Sequence, residues 1–61
     1  MTFAVQPKSF GTFDEWGVEW ATDLDHARDI AFDWSADNGG EPMIIWRITT
    51  GDPIAWMEVV A

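Results

Sequence analysis

The most regular pattern of apolar positions lies in the middle of the chain. Leu24, Ala27, Ala31 and Trp34 recur at the i, i+3, i+7 and i+10 positions of one helical face, with Ile30 beside them. A helix is predicted over residues 23–37. Thr22 stands where an N-cap belongs, and Asp23 and Asp25 in the first turn oppose the unpaired amides and the positive end of the helix dipole. Asn38-Gly39-Gly40 supplies the stop.

On either side the period changes to two. Over residues 13–21, Trp16, Val18 and Trp20 alternate with Glu15, Gly17 and Glu19, the pattern of a half-buried strand. Residues 43–50 and 54–60 are β-branched and aromatic, and Gly51-Asp52-Pro53 between them reads as the turn of a hairpin. Pro53 has no ladder donor and so belongs in that turn or at the first position of the last strand. Residues 2–5 are a candidate additional strand ended by Pro7, and Ser9-Phe10-Gly11-Thr12 reads as a turn. The expected fold class is α+β, one helix packed on a small three- to four-stranded sheet in the order β-α-β-β, with the N-terminal segment as the fourth strand. Placing Ile44, Trp46 and Ile48 against the helix leaves Met43, Ile45 and Arg47 facing outward. Both sheet faces then carry apolar groups, and one helix covers only one of them. Phe3, Phe10 and Phe13 of the N-terminal segment are candidates to fold over the other.

Length turns this pattern into a single domain spanning residues 1–61, because a chain of 61 residues buries about 60% of its unfolded surface. The absence of cysteine removes disulfides and zinc knuckles. Apolar residues make up 48% of the chain and aromatics 15%, too much for a disordered acidic tail. No apolar run has the length of a membrane span or a signal peptide, so the expectation is a soluble cytoplasmic protein. Eleven Asp and Glu against three Lys and Arg give a formal charge of -8. That balance argues against nucleic acid and anionic membranes, which are recognised through Lys and Arg, and in favour of a basic partner.

Catalytic and metal chemistry find little foothold. His26 falls on the polar side of the helix with no nucleophile near it in sequence, and neither Ser9 nor Ser35 sits in a nucleophile elbow. Gly39-Gly40 follows a helix, whereas a phosphate-cradling loop precedes one. Asp33, Asp37, Asn38 and Glu41 have the wrong spacing for a calcium loop. No enzyme, metal or cofactor is expected.

The most specific feature is a ladder of four aspartates, Asp25, Asp29, Asp33 and Asp37, at successive i+4 steps of the helix. Each step rises about 6 Å along a slowly drifting stripe. Like charges at i+4 repel by a few tenths of a kcal/mol, about 0.2–0.5 per pair, so the ladder works against the helix that carries it. Arg28 relieves only part of it. One reading is a solvated face that keeps an apolar-rich domain in solution. The other is a charge display, joined by Asp14, Glu15 and Glu19, spaced like nucleic-acid phosphates and aimed at a basic groove on another protein. Arg47 and Trp56 on the hairpin are residues of hot-spot type and mark a second candidate contact, for a partner or for a homodimer formed through the sheet.

The run from Trp16 to Ala31, followed by Trp34 and by Ile45-Trp46-Arg47-Ile48, resembles small acidic phage-encoded host-takeover proteins, most of all the phage inhibitors of bacterial RNA polymerase. The resemblance covers about half the chain. It implies a protein that binds a host enzyme, one that itself handles nucleic acid, through charge and an exposed strand. Arg47 matches a strand arginine which that family uses for contact, while Thr49 stands where the family has a second one. The same central run also looks like a piece of ADP-ribosyltransferase-type domains, without the upstream His or Arg that would clamp NAD. The sequence therefore leads to a non-enzymatic acidic protein-binding module in the host cytoplasm. Its alternative is a small structural or assembly protein that homodimerises through its sheet.

Overall fold

The computed structural model describes all 61 residues, and its centre is the strand nearest the N-terminus. Strands β1 (Thr2–Pro7), β2 (Glu19–Ala21), β3 (Met43–Thr49) and β4 (Asp52–Val59) form one sheet in the order β2-β1-β3-β4, antiparallel throughout. Helix α1 (Leu24–Asp37) follows β2 and packs on one face. The fold is α+β, and the additional N-terminal strand is present as an interior strand flanked by β2 and β3. Pro7 does not end that strand at residue 5, since Gln6 and Pro7 still pair with Ile44 and Met43. No helix is long and apolar enough to cross a membrane.

The helix face of the sheet holds the larger core. Phe3 and Val5 of β1, Ala21 of β2 and Met43 and Ile45 of β3 are buried against Ala27 and Ala31, with Leu24, Ile30, Trp34, Met57 and Val59 around them. Alanine at the two innermost helix positions lets the backbone approach the strands closely, so the larger side chains come from the sheet. The orientation of β3 is opposite to the expected one: Met43 and Ile45 face the helix, while Ile44, Trp46 and Ile48 take the other face. Period two alone cannot set this parity when both faces are apolar. Pairing with β1 decides it, since Val5 and Ile45 lie side by side.

Caps and turns refine the ends. Asp23, not Thr22, is the N-cap, in extended conformation (φ -141°, ψ 164°) with its carboxylate accepting from the His26 amide at 2.8 Å. At the other end the Gly40 amide reaches the Ser35 carbonyl at 2.8 Å and the Gly39 amide the Ala36 carbonyl at 3.4 Å, the paired bonds of a Schellman stop. Gly39 and Gly40 have φ of 71° and 85°, which side chains resist. The β3–β4 turn is Thr50-Gly51, one residue earlier than expected. Both have positive φ, as a two-residue hairpin loop of matching twist requires, and Asp52 already pairs with Thr49. Pro53 is thus the second residue of β4, tolerated because β4 is an edge strand.

The largest departure from expectation lies between β1 and β2. Only Glu19–Ala21 of the expected strand is extended; the preceding residues form a 3-10 turn at Lys8–Phe10 and an irregular loop with a β-turn at Asp14–Gly17. This loop covers the second face. The Phe13 ring stands edge-on to Trp20 and Trp46, with centroids 6.1 and 5.6 Å away, above the buried Ala4 that pairs with both tryptophans. Phe13 covers this face as anticipated, whereas Phe3 belongs to the helix side.

Candidate functional site

All four ladder aspartates are exposed, as are Glu15 and Glu19. Successive i+4 positions drift by about 40°, so the ladder turns through about 120° from end to end. Asp25 and Asp29 line a shallow outward concavity with Arg28 and Phe32. Asp33 and Asp37 have rotated toward β2 and share a second concavity with Glu19, Ile30, Trp34 and Asn38. Glu19 lies on the helix side because it pairs with Val5, itself a core residue of that side. Strand and helix together therefore bring three carboxylates to one open, shallow concavity that Ile30 and Trp34 also line.

The eleven carboxylates divide by duty. Glu58 pairs with Lys8 at 2.8 Å, the only ion pair of the fold, and Glu41 accepts from the Ser9 hydroxyl at 2.6 Å. Asp14 accepts from the Trp16 amide, and Asp23 caps the helix. The remaining seven, Glu15, Glu19, Asp25, Asp29, Asp33, Asp37 and Asp52, make no hydrogen bond or ion pair within the protein. Nowhere do three or more acidic or imidazole side chains converge as a metal ion would require; the charges are spread over a surface.

Arg47 and Trp56 are brought together, but with each other. The guanidinium carbon lies 4.2 Å from the Trp56 ring centroid, a cation–π stack. Arg47 does not face outward: it shares the helix side of the sheet with Phe3, opposite which it pairs, and is half-buried. The register of β4 jumps between Met57, opposite Ile45, and Ala55, opposite Trp46, so Trp56 is the extra residue of a β-bulge. It is 47% exposed. The bulge, Pro53 and the acids Asp52 and Glu58 are the devices that keep an edge strand from pairing with another chain.

His26 is exposed beside Thr2 and Trp20, and its backbone amide, not its ring, makes its hydrogen bond. The Ser9 hydroxyl is engaged with Glu41, and the buried Ser35 hydroxyl accepts from the Ala61 amide at 3.0 Å.

Sequence reading passed over the Asp14–Gly17 turn and its anchor. Gln6 is fully buried on the loop side, and its side-chain amide donates to the Thr12 carbonyl at 2.9 Å and accepts from the Asp14 amide at 3.0 Å. The signal was present: Asp at the first and Gly at the fourth position are the preferences of a type I turn. The alternation of Trp16, Val18 and Trp20 masked it. Comparison with protein families, characterised proteins and solved structures finds no match to this chain.

Proposed function

We propose that this chain is a non-enzymatic acidic protein-binding module that presents the α1 ladder and Glu19 to a basic surface of another protein. The observation that carries the reading is the set of seven exposed carboxylates without intramolecular partners, four of them in one helical ladder. The acids that serve the fold are a different set. A ladder that costs helix stability and serves no internal contact has its use outside the molecule. The resemblance to phage-encoded inhibitors supports a finer version, in which the display imitates nucleic-acid phosphates and occupies a basic groove of a host enzyme.

The test is retention of bacterial proteins on the immobilised chain at low and moderate salt, followed by affinity measurement with the purified partner. The double variant Asp29→Asn, Asp33→Asn should keep its fold and lose affinity, and the wild-type affinity should fall steeply with salt. Equal affinity of variant and wild type would refute the proposal.

A second reading, a homodimer through the sheet, draws on the half-exposed Ile54 and Trp56 at the β4 edge. The proline, bulge and acids of that edge oppose it. Sedimentation decides between them: a dimer that Trp56→Ala converts to monomer would favour the assembly reading.

A further inference from the structure

We propose that the Asp14–Gly17 turn is a preorganised recognition knob, which inserts the Trp16 indole into an apolar pocket rimmed by lysine or arginine on a folded protein partner. The inference rests on the reading of a basic partner and adds to it the contact that anchors the complex.

Trp16 is 91% exposed, the most exposed large apolar side chain in the protein. Loose loops often expose aromatic residues, but this loop is held from several sides. The Trp16 amide donates to Asp14 Oδ1 at 3.1 Å and the Gly17 amide to the Asp14 carbonyl at 3.0 Å, closing the turn on itself. Beneath it, Gln6 spends both ends of a fully buried amide on the Thr12 carbonyl and the Asp14 amide. Gly17 lies so close to its surroundings that a Cβ there would sit 3.0 Å from the Phe10 ring and 2.7 Å from Asp14 Oδ2. The backbone that carries the indole is therefore fixed before any partner arrives. An aromatic side chain with two torsions on a fixed turn loses little freedom on binding, which is the property of an anchor residue.

Charge selects the occupant. Asp14 and Glu15 adjoin the indole, no cation pairs with either, and the whole chain carries -8. An anionic lipid surface or a nucleic acid would be repelled, and so would a second copy bringing the same acids to the contact. A lysine- or arginine-rimmed pocket satisfies both the apolar ring and the flanking carboxylates, and apolar centre with charged rim is the usual anatomy of a protein interface.

The experiment replaces single positions of the full chain with a photo-cross-linking residue, Trp16→p-benzoylphenylalanine and, on the ladder, Asp29→p-benzoylphenylalanine. Each is irradiated in bacterial lysate at low salt, and the cross-linked peptides are sequenced. The proposal expects position 16 to capture one protein at an apolar site flanked by Lys or Arg. With that protein purified, Trp16→Ala should weaken binding by about 30-fold or more while leaving the near-ultraviolet circular dichroism of the other tryptophans in place. Asp14→Ala, which frees the turn but keeps the indole, should also weaken binding, and Trp16→Phe less than Trp16→Ala. Capture from position 29 alone would overturn the knob and leave the basic-surface reading standing. Capture from neither position would remove both. Capture of a second copy at position 16, or less than a threefold effect of Trp16→Ala, would likewise overturn the proposal.

Discussion

The two faces of the sheet are closed by different means. On one side a regular helix lies over Phe3, Val5, Met43 and Ile45, and its backbone hydrogen bonds are satisfied internally except at ends that Asp23 and the Gly39-Gly40 stop complete. On the other side an irregular loop lies over Ala4, and its own backbone supplies only the local turn bonds from the Gly11 amide to the Lys8 carbonyl and from the Gly17 amide to the Asp14 carbonyl. One aromatic ring, Phe13, supplies the packing, and one buried side-chain amide, Gln6, supplies the bonds that a helix would have supplied itself. A helix covers a sheet with small residues and periodicity. A loop covers it only if the sheet reaches up to hold the loop. The price is a buried polar group, and the return is a turn whose shape is fixed without regular structure.

Substitutions in each layer test this contrast. Ile45→Ala removes a fully buried side chain from the helix side and should cost about 3–4 kcal/mol. A single core in a chain this small supplies about 3–5 kcal/mol in all, so the variant should be largely unfolded at 25 °C by circular dichroism. Phe13→Ala should cost less, about 2 kcal/mol, because the ring is only partly buried; urea titration measures it, and a loss equal to that of Ile45→Ala would erase the asymmetry. Gln6→Leu keeps the volume and removes both bonds to the loop. It should cost about 1–2 kcal/mol, with faster hydrogen exchange at the Asp14 amide while the amides of α1 stay protected in proportion to global stability. The smallest effect has the opposite sign. Asp33→Asn relieves two i+4 repulsions, at about 0.2–0.5 kcal/mol each, and should raise the thermal midpoint slightly, a gain of about 0.4–1 kcal/mol. A loss on that substitution would mean that the ladder serves the fold after all.

The same contrast explains what could be read from the sequence. Helix α1 was legible to within one residue because its apolar period, its caps and its stop agree, and the N-cap shifted only because Asp23 is as good a cap as Thr22. The hairpin was legible as a pair of strands, with its turn one residue early. What failed was parity and the loop. Met43-Ile44-Ile45-Trp46 is apolar at every position, so period two carries no information about which face meets the helix. The bulge at Trp56 then shifts the alternation of β4. In the β1–β2 connection Trp16, Val18 and Trp20 imitate a strand, yet Asp14 and Gly17 form a turn that requires Gln6, eight residues before Asp14 and on another element. A side chain that acts at such a distance leaves no local period. The ladder itself was legible, since it needs only a helix, but its convergence with Glu19 on one concavity depended on the pairing of β2 with β1.

The interior position of β1 has a consequence for how the chain can come together. Its first residues bond on one side to β2, a short distance along the chain, and on the other to β3, which lies beyond β2 and α1, with Thr2 opposite Ile48. During synthesis β1 must wait, paired on one side only, until β3 has been made. The helix and the β3–β4 hairpin can form from neighbouring residues, but joining them into one sheet closes a loop that spans most of the molecule, and folding dominated by such non-local pairing is slow. Removing the first strand would not trim an edge. It would leave two β fragments with no common neighbour, so the N-terminal segment holds the sheet together.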